Sequence, residues 1–135
     1  MPSPPQPRRK LLVIDDDPVV TQTLSLKLLA RYEVVVLHEP TEALATVRRE
    51  RPDLVVCDVE MPGMTGPAVA RTLASCEDTA DVSLVFLTGA FSTAELQARG
   101  GALEGRPGLS KHAPLREIVS EIEAAAQGRR PHSLP

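Results

Sequence analysis

Short runs of aliphatic residues alternate along this chain with longer stretches whose apolar positions recur at helical spacing. The runs are LLVI, VVVL, LVVC and VSLVFL, and the longer stretches are VVTQTLSLKLLA, TEALATVRRE, GPAVARTLASC and LREIVSEIEAAAQ. Strand-length runs separated by helix-length segments predict βαβ units and a parallel sheet. LLVI, LVVC and VSLVFL are continuous rather than alternating, as strands covered by helices on both faces must be, so they are predicted to be central.

The helix starts are marked. Asp17-Pro18 supplies an N-cap followed by proline at the first helical position, Thr41 is placed to cap the second helix, and Ser92 with Glu95 has the spacing of a capping box. The last periodic stretch puts Leu115, Ile118, Val119 and Ile122 on one side and glutamates on the other, the pattern of a helix lying on a sheet. Residues 98–110, ARGGALEGRPGLS, break the rhythm with four glycines and a proline. They predict a short or irregular fourth helix and only a short edge strand near Gly108–Ser110.

With 135 residues and 42% hydrophobic content, the chain has enough material for one core and no room for a second. The folded body is expected over residues 10–127, with a disordered proline-rich tail at 1–9 and a flexible tail at 128–135. The PxxP spacing within the first tail is expected to be solvated chain rather than a recognition motif. A formal net charge of -3, from 15 basic and 18 acidic residues, gives no footing for nucleic acid or a membrane surface and leaves proteins as partners. No run approaches the roughly 20 apolar residues of a membrane span, and MPSPPQPRRK has no apolar signal core, so a cytoplasmic location is expected. Cys57 and Cys76 lack CxxC spacing and are expected to be buried free thiols. His38, His112 and His132 lack ligand spacing, which argues against zinc or a histidine phosphodonor.

The chemistry gathers where apolar runs end. In an open parallel sheet, ligands bind beyond the carboxyl ends of the strands. Here the first run leads into Asp15-Asp16-Asp17, the third ends in Asp58, the fourth ends in Thr88, and Lys111 follows the weak last strand. Crowded carboxylates repel one another unless a cation sits among them, and oxygen ligands at a phosphate-handling site suit Mg²⁺. One carboxylate can then attack phosphorus while a lysine and a hydroxyl hold the phosphoryl oxygens. Any single aspartate after a strand is adequately explained as a cap or turn residue, as Asp17 before Pro18 is. The set of Asp15, Asp16, Asp58, Thr88 and Lys111 is not.

Four segments in order, LLVIDDDP, LVVCDVEMPGMTG, LVFLTG and LSKHAPL, resemble the receiver domain of two-component response regulators over about residues 10–127. The Met-Pro-x-Met-x-Gly pattern after Asp58 is the most specific part of the likeness. The resemblance implies a chemotaxis-regulator-like α/β fold: a three-layer, doubly wound, parallel five-stranded sheet of flavodoxin-like order 2-1-3-4-5. It implies phosphorylation of Asp58 by a histidine kinase or phosphotransfer protein, in a phosphorylation-controlled signalling switch of a phosphorelay. It also implies Mg²⁺ held by Asp16 and Asp58, by Asp15 through water and by the Glu60 backbone carbonyl, with the Glu60 side chain facing the phosphoryl site. Lys111 would pair with the phosphate, and Thr88 would move toward it, with Gly89 leaving space beside that path.

Three departures stand out. Gly108 lies where the family usually carries the aromatic partner of the switch hydroxyl, and His112 replaces the proline that usually follows the lysine after a cis peptide. Without proline a cis bond costs about 3–4 kcal/mol, so a trans Lys111–His112 bond is expected. The glycine-rich 98–110 stretch falls on the face the family commonly uses for output, so an atypical output face is expected. The route left open runs through the loop after Asp58 or through the first helix.

An alternative is a receiver-fold protein-interaction scaffold uncoupled from phosphorylation. A more distant one is an aspartate-nucleophile phosphatase, because LLVIDDDPV also resembles the haloacid-dehalogenase motif, with Asp15 as nucleophile, Asp17 as acid, and Thr88 and Lys111 binding phosphate. That family needs a further acidic pair beyond its lysine, and no Asp follows Lys111. The expectation is therefore a phosphoryl acceptor rather than a turnover enzyme, monomeric or weakly dimeric, acting on a separate output protein or belonging to a longer regulator or hybrid kinase.

Overall fold

The computed structural model describes residues 8–128, so the expected tails lie outside the described residues apart from Arg8, Arg9 and Gly128. Six strands, β1 (Lys10–Ile14), β2 (Glu33–Leu37), β3 (Leu54–Asp58), β4 (Leu84–Thr88), β5 (Ala102–Leu103) and β6 (Arg106–Ser110), form one sheet in the order β2-β1-β3-β4-β6-β5. Five helices accompany them: α1 (Pro18–Leu28), α2 (Ala43–Glu50), α3 (Gly66–Ala74), α4 (Thr93–Ala98) and α5 (Leu115–Ala126).

The continuous apolar runs are central, as their composition requires. Every residue of β3 and β4 is buried, whereas β2 at the edge is only half-covered. Alternate residues of each central strand feed opposite layers. Leu11, Val13, Leu54, Val56, Val85 and Leu87 pack under α1 and α5, while Leu12, Ile14, Val55, Cys57, Leu84 and Phe86 pack under α2, α3 and α4. Ile118 and Ile122 of α5 are buried in the first of these layers, with Leu115 and Val119 packed against it, as the sequence stripe predicts.

The five parallel strands keep the expected order, with β6 in fifth place; the sixth strand is an addition. After α4, which is only six residues long, the chain makes an antiparallel hairpin pairing Ala102 with Pro107 and Leu103 with Arg106. Its two-residue turn, Glu104-Gly105, has φ values of 46° and 81°. Two successive positive φ values are what a tight hairpin compatible with strand twist demands, and glycine at the second position meets half of that demand. The edge on this side is therefore the two-residue β5 and not β6.

Two local expectations are corrected. Thr41 does not cap α2: a short 3₁₀ turn, Pro40–Glu42, comes first, and the carboxylate of Glu39 caps it by accepting from the Thr41 amide at 3.5 Å and from the Thr41 hydroxyl at 3.0 Å. Proline at the first position of that turn needs no partner for a missing N–H, so the cap falls one residue before it. Cys57 is a buried free thiol, but Cys76 is only half-buried. The Asp17 cap and the Ser92–Glu95 capping box form as read. No peptide bond among the described residues is cis, Lys111–His112 included. No helix among them is long and apolar enough to cross a membrane.

At the end of the sheet where β1 begins, the segment entering β1 meets the end of α5 and the end of α1. The Arg9 guanidinium donates to the Ala126 carbonyl at 3.0 Å and that of Arg8 donates to the Leu29 carbonyl at 3.0 Å.

Candidate functional site

Three strands end at the opposite pole, and their last residues are hydrogen-bonded into position. Asp15 continues β1 by donating its amide to the Leu37 carbonyl at 3.1 Å, and Asp58 is the last residue of β3, in register with Leu87 of β4. Both carboxylates are almost wholly buried, at 1% and 5% exposure, while Asp16 is exposed. Oxygens of Asp15, Asp16 and Asp58 lie within 4.8 Å of one another. Asp17 stands apart from this group: its Oδ1 accepts from the Val19 amide at 2.9 Å and so caps α1.

Lys111 reaches the cluster from the loop after β6. Its backbone amide donates to the Thr88 carbonyl at 2.8 Å, and its Nζ lies 2.9 Å from Asp15 Oδ2 and 3.2 Å from Asp58 Oδ1. The Asp17 amide satisfies Asp15 Oδ1 at 2.9 Å. Asp15 Oδ2 is buried, and its near partner is the Lys111 ammonium at 2.9 Å. Three grouped carboxylates, two of them buried, outnumber the one ammonium that reaches them among the described residues, an excess of negative charge that is costly unless a further cation meets it. The donor set is all oxygen and one member opens to solvent, which fits a hard ion that keeps several waters, such as Mg²⁺.

Burial, then the charge of Asp15, push the Asp58 carboxyl up to about 6, against the opposing pull of Lys111 and the Glu60 amide. Burial works to lower the ammonium pKa of Lys111, but pairing with Asp15 and then Asp58 outweighs it and the net direction is upward. Burial, followed by the charges of Asp58 and Asp15, pushes the Cys57 thiol far up, so it is inert beside the site.

The loop after Asp58 is folded tightly against its own strand. The Gly66 amide donates to the Val59 carbonyl at 2.8 Å, and a Cβ on Gly66 would collide with the Asp58 carbonyl oxygen and stand 2.9 Å from Val59 Cα. Only glycine allows that approach, which explains the last residue of the Met-Pro-x-Met-x-Gly pattern. Glu60 contributes its amide to Asp58 Oδ1 at 3.4 Å, and its carboxylate is not among the grouped acidic oxygens. Thr88 is fully buried at the end of β4, with its Oγ1 accepting from the Ala90 amide at 3.0 Å. A Cβ at Gly89 would meet only the Lys111 stem, at 3.8 Å.

The fold thus brings Asp15, Asp16, Asp58 and Lys111 together, and sets Thr88 on the adjoining strand end. Sequence reading passed over Ser110. This buried serine donates to the Phe91 carbonyl at 2.7 Å and accepts from the His112 amide at 3.1 Å. A hydroxyl closing the strand just before the lysine was the available signal.

At Gly108, a Cβ would stand 3.2 Å and 3.3 Å from Leu103 carbons and 3.3 Å from Leu96 Cδ2. The space beside this glycine is filled by the β5 hairpin and α4.

Residues 11–123 match the family model described as the response regulator receiver domain. Among relatives, the DNA-binding response regulator MtrA of Mycolicibacterium smegmatis is 36% identical over 90 residues, covering 66% of this chain and 38% of that protein. The response regulator MprA of Mycobacterium avium is 33% identical over 123 residues, covering 90% of this chain and 53% of that protein. The chain therefore spans about half or less of these relatives' lengths. Among solved structures, a putative response regulator from Chloroflexus aurantiacus superposes with a TM-score of 0.75 at 27% identity, over 91% of this chain and all of that one. The matched family is not the one on which the phosphatase alternative rests, and Asp17, its supposed acid, stands apart from the cluster as a helix cap. An acidic strand-end cluster on a 2-1-3-4 parallel sheet, matched along nearly its whole length by one family model, makes this chain a member of the response regulator receiver domain family of two-component signalling.

Proposed function

We propose that this chain is a phosphorylation-controlled switch in which Asp58 accepts a phosphoryl group from a histidine kinase or phosphotransfer protein. The observation that carries this reading is the group of three carboxylates, Asp15 and Asp58 buried among them, which the Lys111 ammonium only partly balances. Asp16, Asp58, the Glu60 backbone carbonyl and, through water, Asp15 would hold Mg²⁺. Bound there, the ion supplies charge neutralisation, which lets a carboxylate approach a phosphoryl group.

The protein's own groups do the rest. Asp58 forms the new O–P bond as the phosphorus–nitrogen bond of the donor phosphohistidine breaks, and the proton needed by the departing imidazole comes from solvent. Lys111 leaves its two carboxylates and pairs with a phosphoryl oxygen, while the Thr88 hydroxyl turns from the Ala90 amide to another. The body at residues 10–127 is the acceptor unit. It acts in the cytoplasm, as a monomer or weak dimer, on an output protein that is separate or part of the same longer chain.

Incubation with acetyl phosphate and Mg²⁺, followed by intact mass measurement, tests the reading. One added phosphoryl group is expected, lost in Asp58→Asn and in the presence of a chelator. No addition to the native chain, or equal addition to Asp58→Asn, overturns it. The filled space beside Gly108 favours a second reading, a scaffold uncoupled from phosphorylation. That reading predicts no mass gain.

A further inference from the structure

Three consecutive residues after the body of β6 hold the loop that follows β4. The Ser110 hydroxyl donates to the Phe91 carbonyl at 2.7 Å, the Lys111 amide donates to the Thr88 carbonyl at 2.8 Å, and His112 Nε2 lies 2.6 Å from the Gly89 carbonyl. A carbonyl only accepts, so Nε2 of His112 carries the proton. The Ser110 hydroxyl also accepts from the His112 amide at 3.1 Å, which ties the first and third members of the set to each other. Carbonyls of residues 88, 89 and 91 are thus gripped by residues 110 to 112.

Earlier in β6, opposite Phe86 of β4, the strand offers less to move. Gly108 presents no side chain, and the room beside it is taken by Leu103 and Leu96, both buried. A displacement of Thr88 or Gly89 has a direct polar connection to His112. From His112 it passes through Ala113 and Pro114 into the first turn of α5, where the Pro114 carbonyl accepts from the Glu117 and Ile118 amides at 2.9 and 3.1 Å.

We propose that His112 is a positioning residue of this switch: through its hydrogen bond to Gly89 it couples the loop carrying Thr88 to α5, so that the signal leaves the site along the β6–α5 loop. This inference rests on the phosphoacceptor reading of Asp58 and names the regulated element. The coupling is mechanical. When Thr88 turns toward the acceptor, the Gly89 carbonyl is drawn with it, and the imidazole either follows or lets go; both change the start of α5.

Amide and imidazole NMR spectra of the full chain test this, with beryllofluoride and Mg²⁺ as the phosphoryl mimic. His112→Ala removes the bond, and His112→Gln restores a donor of similar reach; the side chain is exposed, so the fold tolerates both changes. In the unmodified protein, His112→Ala is expected to shift the amides of residues 89–91. With the mimic, native chain and His112→Gln are expected to show shifts at 88–91 and at 112–118, and His112→Ala only the former. Equal shifts at 112–118 in His112→Ala overturn the inference, as do native shifts confined to 88–106. Absence of any change at 57–60, together with no mass gain from acetyl phosphate, would sink the acceptor reading itself, and the inference with it.

Discussion

The acidic pole and the α4–β5–β6 corner are built on opposite plans. Asp15 and Asp58 end strands that are buried along their length and paired on both sides, so their positions are set by main-chain ladders and a dense apolar filling. The corner has a six-residue helix, a two-residue strand and glycines at 100, 101, 105 and 108, and it is closed mainly by Leu96 and Leu103. Groups that must meet an ion or a phosphorus need fixed separations, and a doubly covered parallel sheet provides them. Short glycine-rich elements with few buried contacts are instead inexpensive to deform.

Truncating one leucine in each region tests the contrast directly. Leu12→Ala, in a fully buried β1 position, is expected to cost about 4 kcal/mol by urea denaturation, because the strands around it cannot close on the cavity. Leu103→Ala is expected to cost about 2 kcal/mol, because the hairpin can settle into the space. Equal losses would break the comparison.

Gly108→Ala sharpens it. The added methyl meets flexible ends of Leu103 and Leu96 rather than backbone, so a loss of about 1 kcal/mol is expected. Combined with Leu103→Ala, the total is expected to fall short of the sum by about 0.5–1 kcal/mol, because the second change vacates the space the first needs. Strict additivity would show that the two residues do not share that space.

Much of this arrangement is readable from the chain alone. Continuous apolar runs fixed which strands are central, and the loop pattern after Asp58 marked the tight turn closed by Gly66, because both are local consequences of burial and close backbone approach. The hairpin was missed because Glu104 supplies its first positive φ in place of the Asn, Asp or Gly that usually signals such a turn. The Glu39 cap was missed because glutamate is an uncommon capping residue beside an available threonine. The grip of residues 110–112 on residues 88–91 joins segments some twenty positions apart, and no local pattern announces it.

The acidic pole also stores repulsion, and its pH dependence is a smaller test. Asp58 titrates at about 6 in the fold against an ordinary value of 3.8, so the native state binds this proton more tightly than the unfolded chain. Its ionisation therefore weakens the fold: the stability contributed by this group is full below pH 4 and declines as pH rises through 6. In chelator, Asp58→Asn is expected to be about 1–2 kcal/mol more stable than the native chain at pH 7, with the gap closing near pH 4. A gap that widens toward acid would reverse the assignment.

The smallest effect is expected at the surface of the corner. Arg71 and Glu104 pair at 2.9 Å between α3 and the hairpin turn, both largely exposed. Arg71→Ala should lower stability by less than about 0.5 kcal/mol, and 1 M salt should erase the difference. A loss above 1 kcal/mol would mean the hairpin is held from outside rather than by its leucines.

The hydrogen bond from Arg9 to the Ala126 carbonyl has an architectural corollary. Polypeptide entering β1 and polypeptide leaving α5 are neighbours, at the pole farthest from the carboxylates. Fluorophores or surface tethers attached at Arg8 and at Gly128, the first and last described residues, therefore start on one side of the domain, away from the acidic pole.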